Sequence, residues 1–287
     1  MSALATWGEE LQQWAIPEEI IERAPGSPFG FDAGLFRRRA ERAETRRDTP
    51  TIRRALAALP EDGTVLDVGC GAGATSLPLA GRAGRIVGVD AQRDMLEAFA
   101  EAASGAGVRS LGLVAGAWPG VAEETAPADV VVCGHVLYNV PDLAPFAHAL
   151  DDHARRRVVI EITETHPFAW MNDLWQRLHD LHRPDGPTAA DAERALRELG
   201  LDVVREEQHE RRDLGGFRRS EDAVAFVRRR LCLPASRDPE LIEALGRRLR
   251  RRNGSWTAGP SEEKVVTLWW DRTDSRTRSA LEPDVSA

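Results

Sequence analysis

The stretch Val65-Leu66-Asp67-Val68-Gly69-Cys70-Gly71-Ala72-Gly73 constrains this chain more than any other, because a short β-rich run empties into three glycines at alternate positions. An apolar strand has to end there. Glycine lets a backbone turn sharply and lets a ligand approach its amides closely, and Thr75-Ser76-Leu77 is placed to open a helix whose first N–H groups are free. Such a turn suits a nucleotide-like ligand. A second β-rich run, Arg85-Ile86-Val87-Gly88-Val89-Asp90, ends in a carboxylate about twenty residues beyond the glycines, where doubly wound folds place an acid on a ribose.

Two ligands compete for this loop. Gly69-x-Gly71-x-x-Ala74 satisfies the relaxed dinucleotide fingerprint, so an NAD-type oxidoreductase stays open on the glycines alone. Asp67 argues the other way, since a carboxylate two residues before the first glycine suits a cationic amine and repels a pyrophosphate. The pattern acid-x-Gly-x-Gly-x-Gly, formed by Asp67, Gly69, Gly71 and Gly73, resembles the Rossmann-like S-adenosylmethionine (SAM) methyltransferases over roughly residues 63–163. The resemblance implies that Asp67 and the loop Gly69, Cys70, Gly71 and Gly73 face the methionine moiety of SAM, while Asp90 holds the ribose hydroxyls. The run Val89-Asp90-Ala91-Gln92-Arg93-Asp94-Met95-Leu96 is similar to the family's second motif, which adds Ala91 to the cofactor set and puts Met95 near the adenine. One departure follows the third strand, where the family often carries Gly-Asp and this chain reads Ala115-Gly116-Ala117-Trp118-Pro119. The acid is absent there; Ala117 and Trp118 border the cofactor instead, with the Trp118 indole either covering the adenine face or serving as ordinary core at a strand end.

The chain has 287 residues, enough for one large α/β domain with elaborations, and its 42% hydrophobic and 29% charged content is that of an ordinary globular protein. No apolar run approaches the roughly twenty residues of a membrane span, and the first ten residues lack the basic start and apolar core of a secretory leader. Cys70, Cys133 and Cys232 are odd in number and widely spaced, which points to reduced thiols in a cytoplasm rather than a disulfide frame or zinc site. A net charge of −8 counts against a nucleic-acid partner. The arginine runs at 37–39, 155–157, 228–230 and 247–252, with Lys264 as the only lysine, read as solvated faces. The partner expected is a small-molecule acceptor.

Residues 1–60 read as an N-terminal helical segment, opened by Trp7, Leu11 and Trp14 on one amphipathic face. Further helix starts fall at Pro17, at Asp32 (a charged helix to Arg47) and at Thr49-Pro50. From residue 64 strands and helices alternate, with strands at 64–68, 85–89, 109–114, 129–133 and 157–162, then 201–208 and 264–270. That rhythm gives a doubly wound α/β fold with a seven-stranded, mostly parallel sheet. The resemblance implies that the last strand inserts antiparallel beside the fifth. Residues 61–272 form the expected methyltransferase domain, with helical insertions at 166–200 and 218–252, and 273–287 is a frayed tail.

The chemistry is expected at the carboxyl edge of the sheet. His135 follows the fourth strand in Gly134-His135-Val136-Leu137-Tyr138-Asn139-Val140-Pro141-Asp142, similar to the post-strand segment of small-molecule SAM methyltransferases. His135 and His166 are the candidate bases for a hydroxyl acceptor, and Glu161 and Glu164 lie near the same edge without a convincing metal spacing. His135 also borders the cofactor. Tyr138, Phe168, Met171, Trp175 and His182 are the candidate acceptor pocket, the last four with Leu178 on one helical face. Oxygen, nitrogen and carbon acceptors all stay open, and a non-catalytic SAM-binding regulatory protein is a further alternative.

Overall fold

A computed structural model describes residues 2–29, 48–211, 216–252 and 254–272. The helix read from Asp32 to Arg47 and the tail from residue 273 lie outside them. Seven strands form one sheet in the order β3-β2-β1-β4-β5-β9-β6: β1 Gly63–Val68, β2 Ala83–Asp90, β3 Leu111–Ala115, β4 Ala128–Gly134, β5 Ala154–Thr163, β6 Val204–Arg211 and β9 Glu262–Asp271. The first five run parallel, and β9 inserts antiparallel between β5 and β6, as the sequence resemblance implied.

Strand alternation sorts the core into two layers. Val130 and Val132 of β4 face one side, where Ile52 and Ala55 of α3 (Pro50–Ala58) and Leu96 and Phe99 of α4 (Arg93–Gly105) close over them. Val131 and Cys133 face the other, covered by α5 (Leu143–His153), α7 (Ala189–Glu198) and the N-terminal helix α1 (Ala3–Gln12). Local signals fix the helix starts. Thr49 caps α3 by accepting from the Ile52 N–H with Pro50 in the first turn, and Thr188 and Asp191 form a reciprocal capping box on α7.

A cap rises at the carboxyl ends of β5 and β6. It comprises α6 (Asn172–His179), α8 (Ser220–Arg230), α9 (Asp238–Leu245) and the hairpin β7 (Arg250–Arg252) with β8 (Ser255–Thr257), and it has its own core of Met171, Leu174, Trp175, Val224, Val227 and Leu241. The short helix α2 (Glu18–Arg23) brings Ile20 to the edge of that core.

Three expectations need correction. No α-helix opens at Thr75: the glycine loop leads into a 3-10 turn, Leu77–Leu79, because Pro78 and Gly81 leave only nine residues between Gly73 and the start of β2. The arginine run at 247–252 does not extend a helix, since α9 stops at Gly246 (φ +49°) and the chain turns into the hairpin. The helical stripe from Phe168 to His182 is also shorter, as Asp180 in the left-handed region (φ +51°) ends α6 and leaves His182 outside it, exposed.

Candidate functional site

Three strand ends meet at the carboxyl edge and shape the loop between them. Gly69 and Gly71 adopt positive φ (+68° and +51°), a conformation side chains resist. The Gly69 and Cys70 N–H groups both donate to the Val89 carbonyl, at 2.8 and 3.0 Å. Asp90, at the end of β2, accepts from the Gly71 N–H through Oδ2 and from the Gln92 N–H through Oδ1, both at 2.9 Å. A carboxylate has about four lone-pair sites, so two acceptors stay available for a pair of hydroxyls.

The segment after β4 packs onto this loop. A Cβ on Gly134 would lie 2.1 Å from Thr75 Oγ1, and one on Gly69 would lie 2.3 Å from a Val136 methyl. Between them His135 takes φ +59°, uncommon for a side chain, and its N–H donates to the Glu161 carbonyl at 2.7 Å. Its Nε2 lies 3.1 Å from Glu161 Oε1, and Glu161 Oε2 accepts from Thr51 Oγ1 at 2.7 Å.

Asp67 turns inward. It is fully buried, Oδ2 accepts from Ser76 Oγ at 2.6 Å, and Oδ1 is buried with no hydrogen-bond partner among the described residues. Burial pushes its carboxyl up to about 7, with the nearby Asp90 charge adding to the effect and the Ser76 bond opposing it. An orphaned carboxylate oxygen beneath a glycine cradle fits a cationic group and fits a pyrophosphate poorly. Cys70 is buried beside it, with its thiol pushed well up chiefly by burial, so it packs against Phe99 at Gly88 rather than offering a thiolate.

The other sequence candidates divide. Ala91 and Ala117 are exposed at the ends of β2 and β3, and the Gly116 N–H donates to the Asp90 carbonyl, joining that corner to the site. Met95 is buried on α4, in the first turn after the Gln92 cap. Trp118 meets His153, at the end of α5, edge-on with ring centroids 4.8 Å apart and is partly buried against the core beneath. Tyr138 is buried, donates its hydroxyl to the Thr163 carbonyl at 2.8 Å and stacks on Trp7, and burial holds its phenol well above the usual range.

His166 is sandwiched too. Trp14 stacks on it at 3.7 Å, Tyr138 meets it edge-on, and its Nδ1 accepts from the Phe168 N–H at 3.2 Å. Met171 and Trp175 are buried in the cap core, Trp175 beneath the Arg183 guanidinium at 5.2 Å, which also donates to the Ala15 carbonyl. Both share that core with residues of α8 and α9, and Ile16, Ile20 and Ala24 of the N-terminal segment pack against it. Phe168 is half-buried at the cap edge. A cavity of about 910 Å³ lies within the cap, bordered by Phe217, Arg218, Asp222 and Phe226, and no glycine-loop residue lines it. Among the described residues no cluster of His, Cys, Asp or Glu could hold a metal, and no helix is long and apolar enough to cross a membrane.

The sequence missed Thr51 and Thr267. Their hydroxyls meet at 2.7 Å beneath Glu161, one from α3 and one from β9, elements far apart in the chain. Glu161 itself was legible as an acid at the same edge.

Comparison with known proteins agrees with this geometry. Residues 65–157 match a family model described as methyltransferase domain. Among solved structures, the YcgJ protein of Bacillus subtilis superposes with a TM-score of 0.50 at 17% identity, over 78% of this chain and 98% of that one. A Bacillus halodurans protein provisionally assigned as a methyltransferase gives 0.50 at 16% identity, over 78% and 97%. The magnesium protoporphyrin IX methyltransferase of Synechocystis, solved with S-adenosylhomocysteine, gives 0.44 at 14% identity, over 82% and 83%. At such identities the likeness is one of fold. No curated protein matches the chain.

Proposed function

We propose that this chain, whose residues 65–157 match a family model described as methyltransferase domain, is a Rossmann-like, SAM-dependent methyltransferase that transfers a methyl group to a small molecule held between the sheet edge and the cap. The observation that carries the reading is the Asp90 carboxylate, which pins the glycine loop through Gly71 and keeps acceptor capacity for two vicinal hydroxyls. The unpartnered Asp67 Oδ1 below the loop supports a cationic ligand end, and the backbone at Gly69 and Gly71 supports close approach. When bound, SAM supplies a methyl group already activated on a sulfonium, so the protein needs to position rather than activate the donor.

The chain's own residues supply the rest. The loops at 69–73 and 134–136 interlock, which holds donor and acceptor sites in one rigid frame. The helices α1 and α2 and the insertions at 166–200 and 218–252 bound the acceptor side, with α1 anchored by Trp7 and its following segment by Trp14. An NAD-type oxidoreductase is disfavoured by Asp67, a carboxylate beneath the loop where a pyrophosphate would sit, and by the glycine spacing. Calorimetry with SAM, S-adenosylhomocysteine and NAD tests the cofactor. Release of S-adenosylhomocysteine on addition of a metabolite extract tests turnover: binding without turnover in any extract would favour a regulatory SAM-binding protein, and NAD binding in place of SAM would overturn the reading.

A further inference from the structure

We propose that His135 and Glu161 form a general-base dyad, steadied by Thr51 and Thr267, and that the acceptor is a hydroxyl compound whose oxygen loses its proton to His135 Nδ1. The inference rests on the methyltransferase reading above and adds the acceptor class and the residues that serve it.

The geometry begins with the backbone. His135 occupies the left-handed region at the end of β4, and strain of this kind persists only where the surroundings enforce it. Glu161 enforces it twice, accepting the His135 N–H at its carbonyl and facing Nε2 with its carboxylate. Parallel pairing of Gly134 with Glu161 sets the two side by side. A carboxylate on Nε2 holds the neutral ring in the tautomer that carries its hydrogen there, which leaves the Nδ1 lone pair as the base and stabilises the imidazolium once formed. The His135 side chain is 32% exposed and that of Glu161 only 13%, so the base reaches the cleft while its orienting partner stays behind it.

Glu161 is itself held. Thr51 Oγ1 donates to Oε2 at 2.7 Å and shares a 2.7 Å contact with Thr267 Oγ1, both threonines being fully buried; Thr267 sits opposite Glu161 in the β5–β9 ladder. These are positioning residues. His166 is unsuited to the role, since its Nδ1 lone pair takes the Phe168 N–H and its ring is stacked under Trp14. A neutral amine attacks a sulfonium methyl without help, whereas a hydroxyl has to give up its proton as it attacks, so a base held at the cleft suits a hydroxyl acceptor best. In the step, the proton passes from acceptor oxygen to Nδ1. The O–H electron pair stays on oxygen and forms the bond to the methyl carbon, and the pair of the broken C–S bond is left on sulfur. The proton then leaves to water, restoring neutral His135.

The full-length protein, labelled with ¹⁵N in its histidines, gives the first test. His135, assigned by its loss in His135→Gln, should carry its hydrogen on Nε2 in the wild type and lose that preference in Glu161→Leu; a hydrogen on Nδ1 in the wild type overturns the dyad whatever the activity. The second test measures methyl transfer from SAM to a panel of phenols and amines. For a weakly acidic phenol, His135→Gln should lower kcat by about 10²–10⁴ with KM nearly unchanged, while an electron-poor phenol already ionised at the assay pH should lose no more than a few-fold. Thr51→Val/Thr267→Val should lower kcat several-fold with an unchanged melting temperature, and Thr51→Ser should restore it. Equal losses on both phenols, or transfer confined to amines, overturn the proposal and leave the methyltransferase reading standing. Failure of the wild type to bind SAM would instead overturn that reading, with the tautomer result still deciding the dyad.

Discussion

The Asp90 carboxylate and the Gly71 amide are 2.9 Å apart, and this single bond ties the end of β2 to the loop that leaves β1. Asp90 is thus both a ligand candidate and a structural clasp, because its other oxygen holds the Gln92 N–H at the entrance to α4. A substitution there acts on two links at once, local structure and binding. Asp90→Ala should weaken SAM binding by about 1.5–3 kcal/mol, the scale of hydrogen bonds to a charged group, and lower stability by about 1 kcal/mol. Asp90→Asn, which keeps an acceptor for one amide, should recover most of the stability and less of the affinity. Calorimetry paired with thermal melts checks this; native SAM affinity in Asp90→Ala would remove the ribose assignment.

Asp67 makes stability depend on pH. Its carboxyl titrates near 7 in the fold against 3.8 ordinarily. Between those values the folded chain holds a proton that the unfolded chain has released, so unfolding free energy falls as pH rises, by up to about 4 kcal/mol in total. Below the window both states are protonated, and above it both are ionised and the loss is complete. Denaturant melts from pH 4 to 8 should show this slope, and Asp67→Asn should flatten it. An identical slope in the variant would assign the effect elsewhere. A cationic ligand end beside Asp67 would favour ionisation, so SAM binding near pH 6.5 should release protons, read from calorimetry in buffers of different ionisation enthalpy.

Gly134 and Thr75 offer a cleaner test of the interlocked loops. Gly134→Ala drives a methyl to within 2.1 Å of the Thr75 hydroxyl, with the Thr75 Cβ next at 3.3 Å. Overpacking of this kind costs about 1–3 kcal/mol, and here it should also lower SAM affinity by displacing the loop. Thr75→Ala in the same chain removes the closest atom and should restore much of both. Additive losses in the double variant would mean that the two loops do not press on each other.

Trp7 is the largest fully buried side chain of the N-terminal helix, stacked near Tyr138 and donating its indole N–H to the Val140 carbonyl at 2.8 Å. Trp7→Ala should cost about 3–5 kcal/mol. Trp175→Ala should cost a similar amount through the cap core, with SAM affinity nearly unchanged where the protein stays folded. Chemical denaturation of each variant, followed by SAM titration, separates the two effects.

The sheet was readable because its signals are local. Four of the first five strands are rich in β-branched residues and β3 is an apolar run, and the loop glycines announce their own backbone. What escaped reading depended on distant chain. Nothing near Trp175 says that it shares a core with α8 and α9, which lie more than forty residues further along the chain. The hairpin at 250–257 hid in an arginine run, where charge masks the two-residue period. Thr51 and Thr267 meet Glu161 only because α3 and β9 close on β5 from opposite ends of the chain.

The three-residue 3-10 turn at Leu77–Leu79 has an electrical consequence. Phosphate-binding loops draw much of their strength from the α-helix that follows, whose aligned peptide dipoles place about half a positive charge at the anion. Three residues of 3-10 helix supply no comparable field. A ligand entering this loop meets backbone amides beside Asp90, joined by the Asp67 charge once that carboxyl ionises, and no α-helix macrodipole compensates this negative potential. For the ligand proposed above the consequence is one of charge sign: an adenosyl sulfonium would meet a favourable potential at this loop, and a nucleoside polyphosphate an unfavourable one.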